Sequence, residues 1–156
     1  MLKKIPAIEI PIIDNKSFET KNLRDTLKNK KVIIFGVPGA FTPTCSEAHL
    51  PGFIELYDKI IQKGINEIYC LAVNDKYVLD SWLSSYENGY KIKGIADGNA
   101  EITKFLNLEI DKTSNFMGIR CVRFAMVIDN NNITNIYLEK NGQFNNSSAL
   151  NILSNL

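Results

Sequence analysis

A chain of 156 residues that is 45% hydrophobic and 22% charged carries enough apolar material for one packed domain and leaves little room for a second. These proportions exclude a disordered chain, a collagen-like repeat and a coiled coil. The balance of 18 basic against 17 acidic residues leaves no broad basic face for nucleic acid or an acidic membrane.

The N-terminus has a basic pair, Lys3 and Lys4, but Pro6, Glu9 and Pro11 break up any apolar run of signal-peptide length. No later stretch is as long as a membrane span. Lys31–Val37 (KVIIFGV) predicts a strand that stops at Pro38-Gly39, and 45–63 predicts a helix. The run 67–73 (EIYCLAV) predicts a second strand, followed by helices over 77–87 and 100–106. A third strand, 124–128 (FAMVI), is joined by an Asn-rich turn at 129–132 to a partner at 133–138, as an antiparallel hairpin. A last helix is expected over 149–156. Strands that are apolar on both faces and separated by helices predict an α/β fold. Its mixed central sheet, parallel in part and ending in a hairpin, is flanked by helices. Residues 1–156 are expected to form one such domain.

Three cysteines are an odd number and too few for a disulfide scaffold. A reducing compartment is therefore expected, the cytoplasm first and an organelle matrix second, with at least one free thiol. The exit of the first strand is the place to look for its use. There the chain reads Pro38-Gly39-Ala40-Phe41-Thr42-Pro43-Thr44-Cys45. Thr42 suits an N-cap and Pro43 the first helical position, which puts Cys45 inside the first turn. Unpaired backbone N–H groups and the positive end of the helix dipole there favour a thiolate, the nucleophilic form of cysteine. Ligands of open α/β sheets also bind beyond the carboxyl ends of strands. The alternative is that Cys45 is a small buried hydrophobe. The single histidine, His49, shares a helix face with Cys45 but lies one turn from the positive end. One His and no Cys-x-x-Cys leave a zinc site poorly served.

Pro38-x-x-x-Thr42-x-x-Cys45 resembles the peroxiredoxin signature, and the string from Val37 to Cys45 resembles the type II, peroxiredoxin-five-like branch. The similarity continues through His49-Leu50-Pro51-Gly52-Phe53, Ala72-Val73-Asn74-Asp75 with Trp82 behind it, Ala96-Asp97-Gly98-Asn99, and Gly118 to Val127. It therefore spans nearly the whole chain. The resemblance implies a thioredoxin-like fold that reduces hydroperoxides without metal or prosthetic group. In that chemistry Cys45 attacks a peroxide oxygen and becomes a sulfenic acid. Thr42 and the N–H groups of Thr44 and Cys45 are candidate donors to the oxygens, and Pro38 is expected to pack over the sulfur. The resemblance implies Arg123 as the cation, with Arg120 as the alternative. Thr44, Phe41, Met117 and Arg120 are the candidate substrate contacts. Phe41 and Met117 are expected either in the core, like Phe116, or at the pocket and the family's dimer contact. His49 is implied to be a packing and hydrogen-bonding residue at the site's edge.

Relatives differ in the thiol that resolves the sulfenic acid. Cys70, inside the second strand, is either an inert core thiol or a resolving partner that needs the Cys45 helix to unwind. Cys121 is a bystander or an alternative partner. The stretch 142–149 (GQFNNSSA), where the animal branch carries its resolving Cys, has none. The resulting expectation is a one-Cys cycle regenerated by glutathione and glutaredoxin, with thioredoxin as the second choice. A symmetric homodimer is implied, using Phe41, Pro43 and a loop at 81–85. Two other classes stay open. One is a non-catalytic thioredoxin-fold redox sensor or chaperone. The other is a disulfide reductase, for which Thr42-Pro43-Thr44-Cys45 supplies only the second Cys.

Overall fold

The computed structural model describes residues 3–140 and 143–156. Met1 and Leu2 of the N-terminal segment, Asn141, and Gly142 of the 142–149 stretch lie outside the described residues.

The strand Lys31–Val37 forms as expected and is buried throughout after Lys31; we label it β3, because two strands precede it. These are β1 (Glu9–Asp14) and β2 (Ser17–Asn22), a hairpin turned by Asn15 and Lys16, both at positive φ as a tight two-residue turn requires. Neither strand carries the periodic signal that marks β3. Pro11 interrupts β1, and β2 (SFETKN) is an edge strand with almost no buried face. Pairing of β1 with its other neighbour covers only Ile12 and Ile13, which leaves Pro11 clear of it. A short helix, α1 (Leu23–Thr26), links β2 to β3.

The helix expected over 45–63 is broken into three parts: a π-turn at Cys45–His49, α2 (Leu50–Glu55) and α3 (Tyr57–Gln62). The cause of the first break is Pro51, at the start of α2. It has no N–H for the Glu47 carbonyl, and its ring would clash with that carbonyl in a regular helix. The widened turn, in which the Leu50 N–H reaches the Cys45 carbonyl, avoids the clash.

Next come β4 (Glu67–Ala72), α4 (Lys76–Ser84), β5 (Lys93–Ala96), α5 (Glu101–Phe105), β6 (Glu109–Asp111), β7 (Ile119–Cys121), β8 (Phe124–Asp129), β9 (Asn132–Leu138) and α6 (Ala149–Ser154). The segment 81–85, expected as a contact loop, is the end of α4, with Trp82 and Leu83 buried. β6 and β7 form a small separate ribbon. The main sheet has the order β2-β1-β5-β4-β3-β8-β9. Its centre, β3, β4 and β5, is parallel, and β8 and β9 add the antiparallel hairpin. This is the mixed sheet of a thioredoxin-like fold.

Alternation along β3 sends Ile33, Phe35 and Val37 to one face and Val32 and Ile34 to the other. The first face packs against Cys45, Leu50, Phe53 and Trp82; the second packs with Tyr69, Phe124 and Met126. Gly36 faces the Phe124 ring across the β3–β8 pair. A Cβ there would lie 2.0 Å from a Phe124 ring carbon. Phe124 is fully buried and has nowhere to move. Gly36→Ala is therefore expected to cost roughly 3 kcal/mol, seen as a lower urea midpoint at unchanged slope.

Candidate active site

β3 delivers the chain to Pro38 at the carboxyl end of the parallel strands. The loop that follows is held on both sides. The Ala40 N–H donates to Asn74 Oδ1 at 3.0 Å, and the Thr42 hydroxyl donates to the Gly39 carbonyl at 2.6 Å. Helical conformation begins at Pro43, and the Ser46 N–H donates to the Thr42 carbonyl at 2.9 Å, so Cys45 does fall in the first turn. The Thr42 hydroxyl proton is thus engaged by Gly39, three residues back. From the other side, α4 and the residues just after it pin the turn. Trp82 Nε1 donates to Ser46 Oγ at 3.0 Å, and the Tyr86 hydroxyl donates to the Ser46 carbonyl at 2.6 Å.

Phe124 pairs with Gly36 of β3, so Arg123, one residue earlier, stands level with the strand's exit. Its guanidinium bridges two groups of the Cys45 turn. Nη2 donates to Cys45 Sγ at 3.1 Å, and Nη1 donates to His49 Nδ1 at 2.9 Å. Since an arginine can only donate, His49 Nδ1 is the accepting nitrogen. Nε2 therefore carries the proton and donates to the Ser147 carbonyl at 3.0 Å. His49 is fully buried, with Phe35 and Phe53 beside its ring. Burial and then the Arg123 charge push its pKa down to about 3, so the imidazole is neutral. A neutral histidine with both nitrogens occupied is a holder of Arg123 and not a base.

Cys45 is itself buried. Beside its turn opens a cavity of about 780 Å³, lined among others by Pro38, Thr42, Thr44, Met117, Arg123 and Glu139 but not by Cys45 itself. Phe41 and Arg120 are not in its wall. Arg120 donates from Nε to the Met117 carbonyl at 2.9 Å and from Nη1 to the Pro38 carbonyl at 3.3 Å, tying two loops together. Phe41 and Phe116 are exposed, 57% and 99%, and each has a positive φ that is costly for an aromatic residue. The expectation of core packing is thus corrected for both. They follow tight turns whose geometry outweighs burial.

Cys70 lies buried in the middle of β4, in the same core cluster as Cys45. Cys121 is buried on the opposite face and donates from Sγ to the Val37 carbonyl at 3.1 Å. Burial pushes both thiols well above their ordinary ionisation range, and the neighbouring sulfurs push the same way. All three cysteines are free.

Glu139, Phe144 and Ser147 were not foreseen as site residues. Their positions depend on where β9 and α6 pack, and no local motif marks them. Among the described residues no cluster of His, Cys, Asp or Glu is built to hold a metal ion, and no helix is long and apolar enough to cross a membrane.

Residues 3–153 match the family model described as Redoxin. Peroxiredoxin-2D of Arabidopsis thaliana is 44% identical over 143 residues, covering 92% of this chain and 88% of that protein. Reduced Prx3 of Vibrio vulnificus in complex with hydrogen peroxide has a similar structure: the TM-score is 0.92 at 38% identity, over 98% of this chain and 96% of that one. The Plasmodium falciparum antioxidant protein, a 1-Cys peroxiredoxin, gives a TM-score of 0.91 at 35% identity, over 99% of this chain and 98% of that one.

Proposed function

Because the chain belongs to the redoxin family as a thioredoxin-fold peroxiredoxin, a thiol peroxidase, we propose that Cys45 is its peroxidatic nucleophile and that hydrogen peroxide and alkyl hydroperoxides are its substrates. The observation that carries this assignment is the single guanidinium reaching Cys45 Sγ and His49 Nδ1 at once. A fixed cation on the sulfur favours the thiolate and stays in place for the charge that develops on the peroxide. The complex of the Vibrio vulnificus relative with hydrogen peroxide supports the substrate.

The Cys45 thiolate attacks one peroxide oxygen. An S–O bond forms, the O–O bond breaks, and the departing oxygen takes a proton and leaves as water or alcohol. Thr42 acts by turning its hydroxyl from Gly39 to the peroxide. The N–H groups of the first helical turn add donors, and Pro38 limits access of water to the sulfur. Thr44 and Met117, in the cavity wall, contact the organic part of the substrate. Arg120 serves by fixing Pro38 and Met117 and does not touch substrate.

The cycle we propose uses one cysteine of this chain. Glutathione condenses with Cys45–SOH, releasing water and forming a mixed disulfide. Glutaredoxin or a second glutathione then reduces that disulfide and restores the thiol. Burial and suppressed ionisation of Cys70 and Cys121 support leaving both out, since the attacking thiol must be a thiolate. The 1-Cys character of the Plasmodium falciparum relative supports the same cycle. Three free thiols suit a reducing compartment such as the cytoplasm. Exposed Phe41, beside Pro43, is the proposed centre of a homodimer contact, to be checked by light scattering.

One equivalent of peroxide followed by glutathione should add one glutathione, at Cys45, in the intact mass. Cys45→Ser should abolish both the adduct and peroxide consumption. A chain two mass units lighter than the reduced form would mark an internal disulfide and sink the one-Cys cycle. Parallel assays with glutathione–glutaredoxin and with thioredoxin identify the reductant.

A further inference from the structure

The residue just beyond β9, Glu139, is tied to the site twice over. Its backbone N–H donates to the Arg123 carbonyl at 3.1 Å, which keeps the two residues side by side across the hairpin. Its carboxylate is the common acceptor for the segment that leads into α6. The Asn145 N–H (2.7 Å), the Ser147 N–H (2.9 Å) and the Ser147 hydroxyl (2.7 Å) donate to Oε2, and the Asn146 N–H (3.2 Å) donates to Oε1. One carboxylate thus collects four donors from three consecutive residues. Ser147 is the residue whose carbonyl accepts from His49 Nε2. Phe144, from the same segment, sets its ring against His49 at 5.1 Å and under the Arg123 guanidinium at 5.8 Å. The far end of the segment is fixed by α6, whose N-cap Ser148 accepts from the Asn151 N–H.

We propose that Glu139 is a positioning residue for Cys45, acting through a chain of hydrogen bonds that runs from its carboxylate to Ser147, His49, Arg123 and the sulfur. Each link fixes the next. The carboxylate sets the direction of the Ser147 carbonyl. That carbonyl demands a proton on His49 Nε2, which leaves Nδ1 as an acceptor. An accepting Nδ1 holds Arg123 Nη1, which aims Nη2 at the sulfur. Without the carboxylate the carbonyl loses its fixed direction, His49 loses the bond that selects its tautomer, and the Nδ1–H tautomer would repel Arg123. Burial alone would raise the Glu139 carboxyl, but the bonds from Ser147, Asn145 and Asn146 bring it below its ordinary range, so the charged form is the one present. Among the described residues the charged group that contacts His49 is Arg123.

The proposal rests on the reading of Cys45 as nucleophile, and its test works without peroxide. Iodoacetamide alkylation is followed at the Cys45 peptide by mass spectrometry, at pH 7 and at pH 10, in wild type and Glu139→Gln. Glutamine keeps the size and one acceptor oxygen but loses the charge and places an NH₂ against N–H donors. Loss of a charge-assisted acceptor should slow alkylation at pH 7 about tenfold and leave the rate at pH 10 unchanged. Peroxide reduction at pH 7 should fall by a similar factor, and Glu139→Asp should recover part of the pH 7 alkylation rate. An unchanged pH 7 rate, or an equal loss at both pH values, overturns the proposal, because a purely structural role would not act on ionisation alone. If Glu139→Gln does not fold, the ring ¹⁵N shifts of His49 in the wild-type protein decide. Neutral imidazole protonated on Nε2 is expected, whereas protonation on Nδ1 overturns it. Should the wild type fail to reduce peroxide while the alkylation result holds, the functional reading fails and the positioning chain stands.

Discussion

Arg123→Ala should lower the second-order rate constant for peroxide reduction by about 10²–10³, the usual loss when one donor to a developing charge is removed. Among the described residues the guanidinium makes the one charged contact with Cys45 Sγ, and it lines the cavity beside the Cys45 turn. It therefore acts on the thiolate before the reaction and on the peroxide oxygens during it. Arg123→Lys should rescue little. One ammonium is a point charge, whereas the bridge needs two nitrogens of a planar fork reaching Sγ and His49 Nδ1 together. The fold should survive, because Arg123 is only partly buried and its backbone pairing with Glu139 is kept. Stopped-flow measurement of Cys45 oxidation gives the rate, and circular dichroism checks the fold. Turnover of Arg123→Ala at the wild-type rate would remove Arg123 from the mechanism.

Stability should fall steeply on acidification, and His49 is the main cause above the carboxylate range. In the folded protein His49 stays neutral down to about pH 3, held so by burial and by Arg123. In the unfolded chain it takes a proton near its ordinary value of 6.5. Below that value the unfolded state binds the proton and the native state does not, so stability is fully present above about pH 6.5 and is lost as pH falls towards 3. From pH 6.5 to 4.5 the loss should be roughly 2 kcal/mol, the slope rising from half of its limit at pH 6.5 to about 1.4 kcal/mol per pH unit. Glu67 and Glu139, both held below the ordinary carboxylate range, add to the loss with the same sign at lower pH. Urea midpoints between pH 7.5 and 4.5 measure the slope. His49→Gln should be less stable at pH 7.5 but should flatten the profile in this window. An equally steep profile in that variant would show that His49 is not the group responsible.

Parts of this protein were readable residue by residue because they depend on neighbours in sequence. β3, β4, β8 and β9 carry dense β-branched or apolar runs, and their existence follows from that pattern. β1, β2 and β5 do not stand out. They are short or polar-faced, and they become strands through pairing, β1 and β2 with each other and β5 between β1 and β4. The break at Cys45–His49 was implicit in Pro51, whose chemistry forbids a regular helix four residues earlier. Composition favours the core for a phenylalanine, but Phe116 and Phe41 are exposed at positive φ in tight turns, which rules out core packing for both and leaves the dimer-contact alternative for Phe41 open.

The sequence by itself determined that this chain makes a mixed α/β sheet, that Cys45 opens a helix at the end of a central strand, and that its resemblance is to the type II peroxiredoxins. Each of these follows from local spacing or from a contiguous motif. Only the tertiary structure decided which cation meets the sulfur. Arg120 and Arg123 are close in sequence and alike in chemistry, and the register of β8 against β3 sends one to Cys45 and the other to backbone carbonyls. It also decided how His49 is protonated and what holds it. Ser147 is 98 residues away along the chain, and only the packing of β9 and α6 brings its carbonyl, with Glu139 behind it, to the imidazole. Such pairings are set by where whole elements pack, a global property that no window of sequence contains.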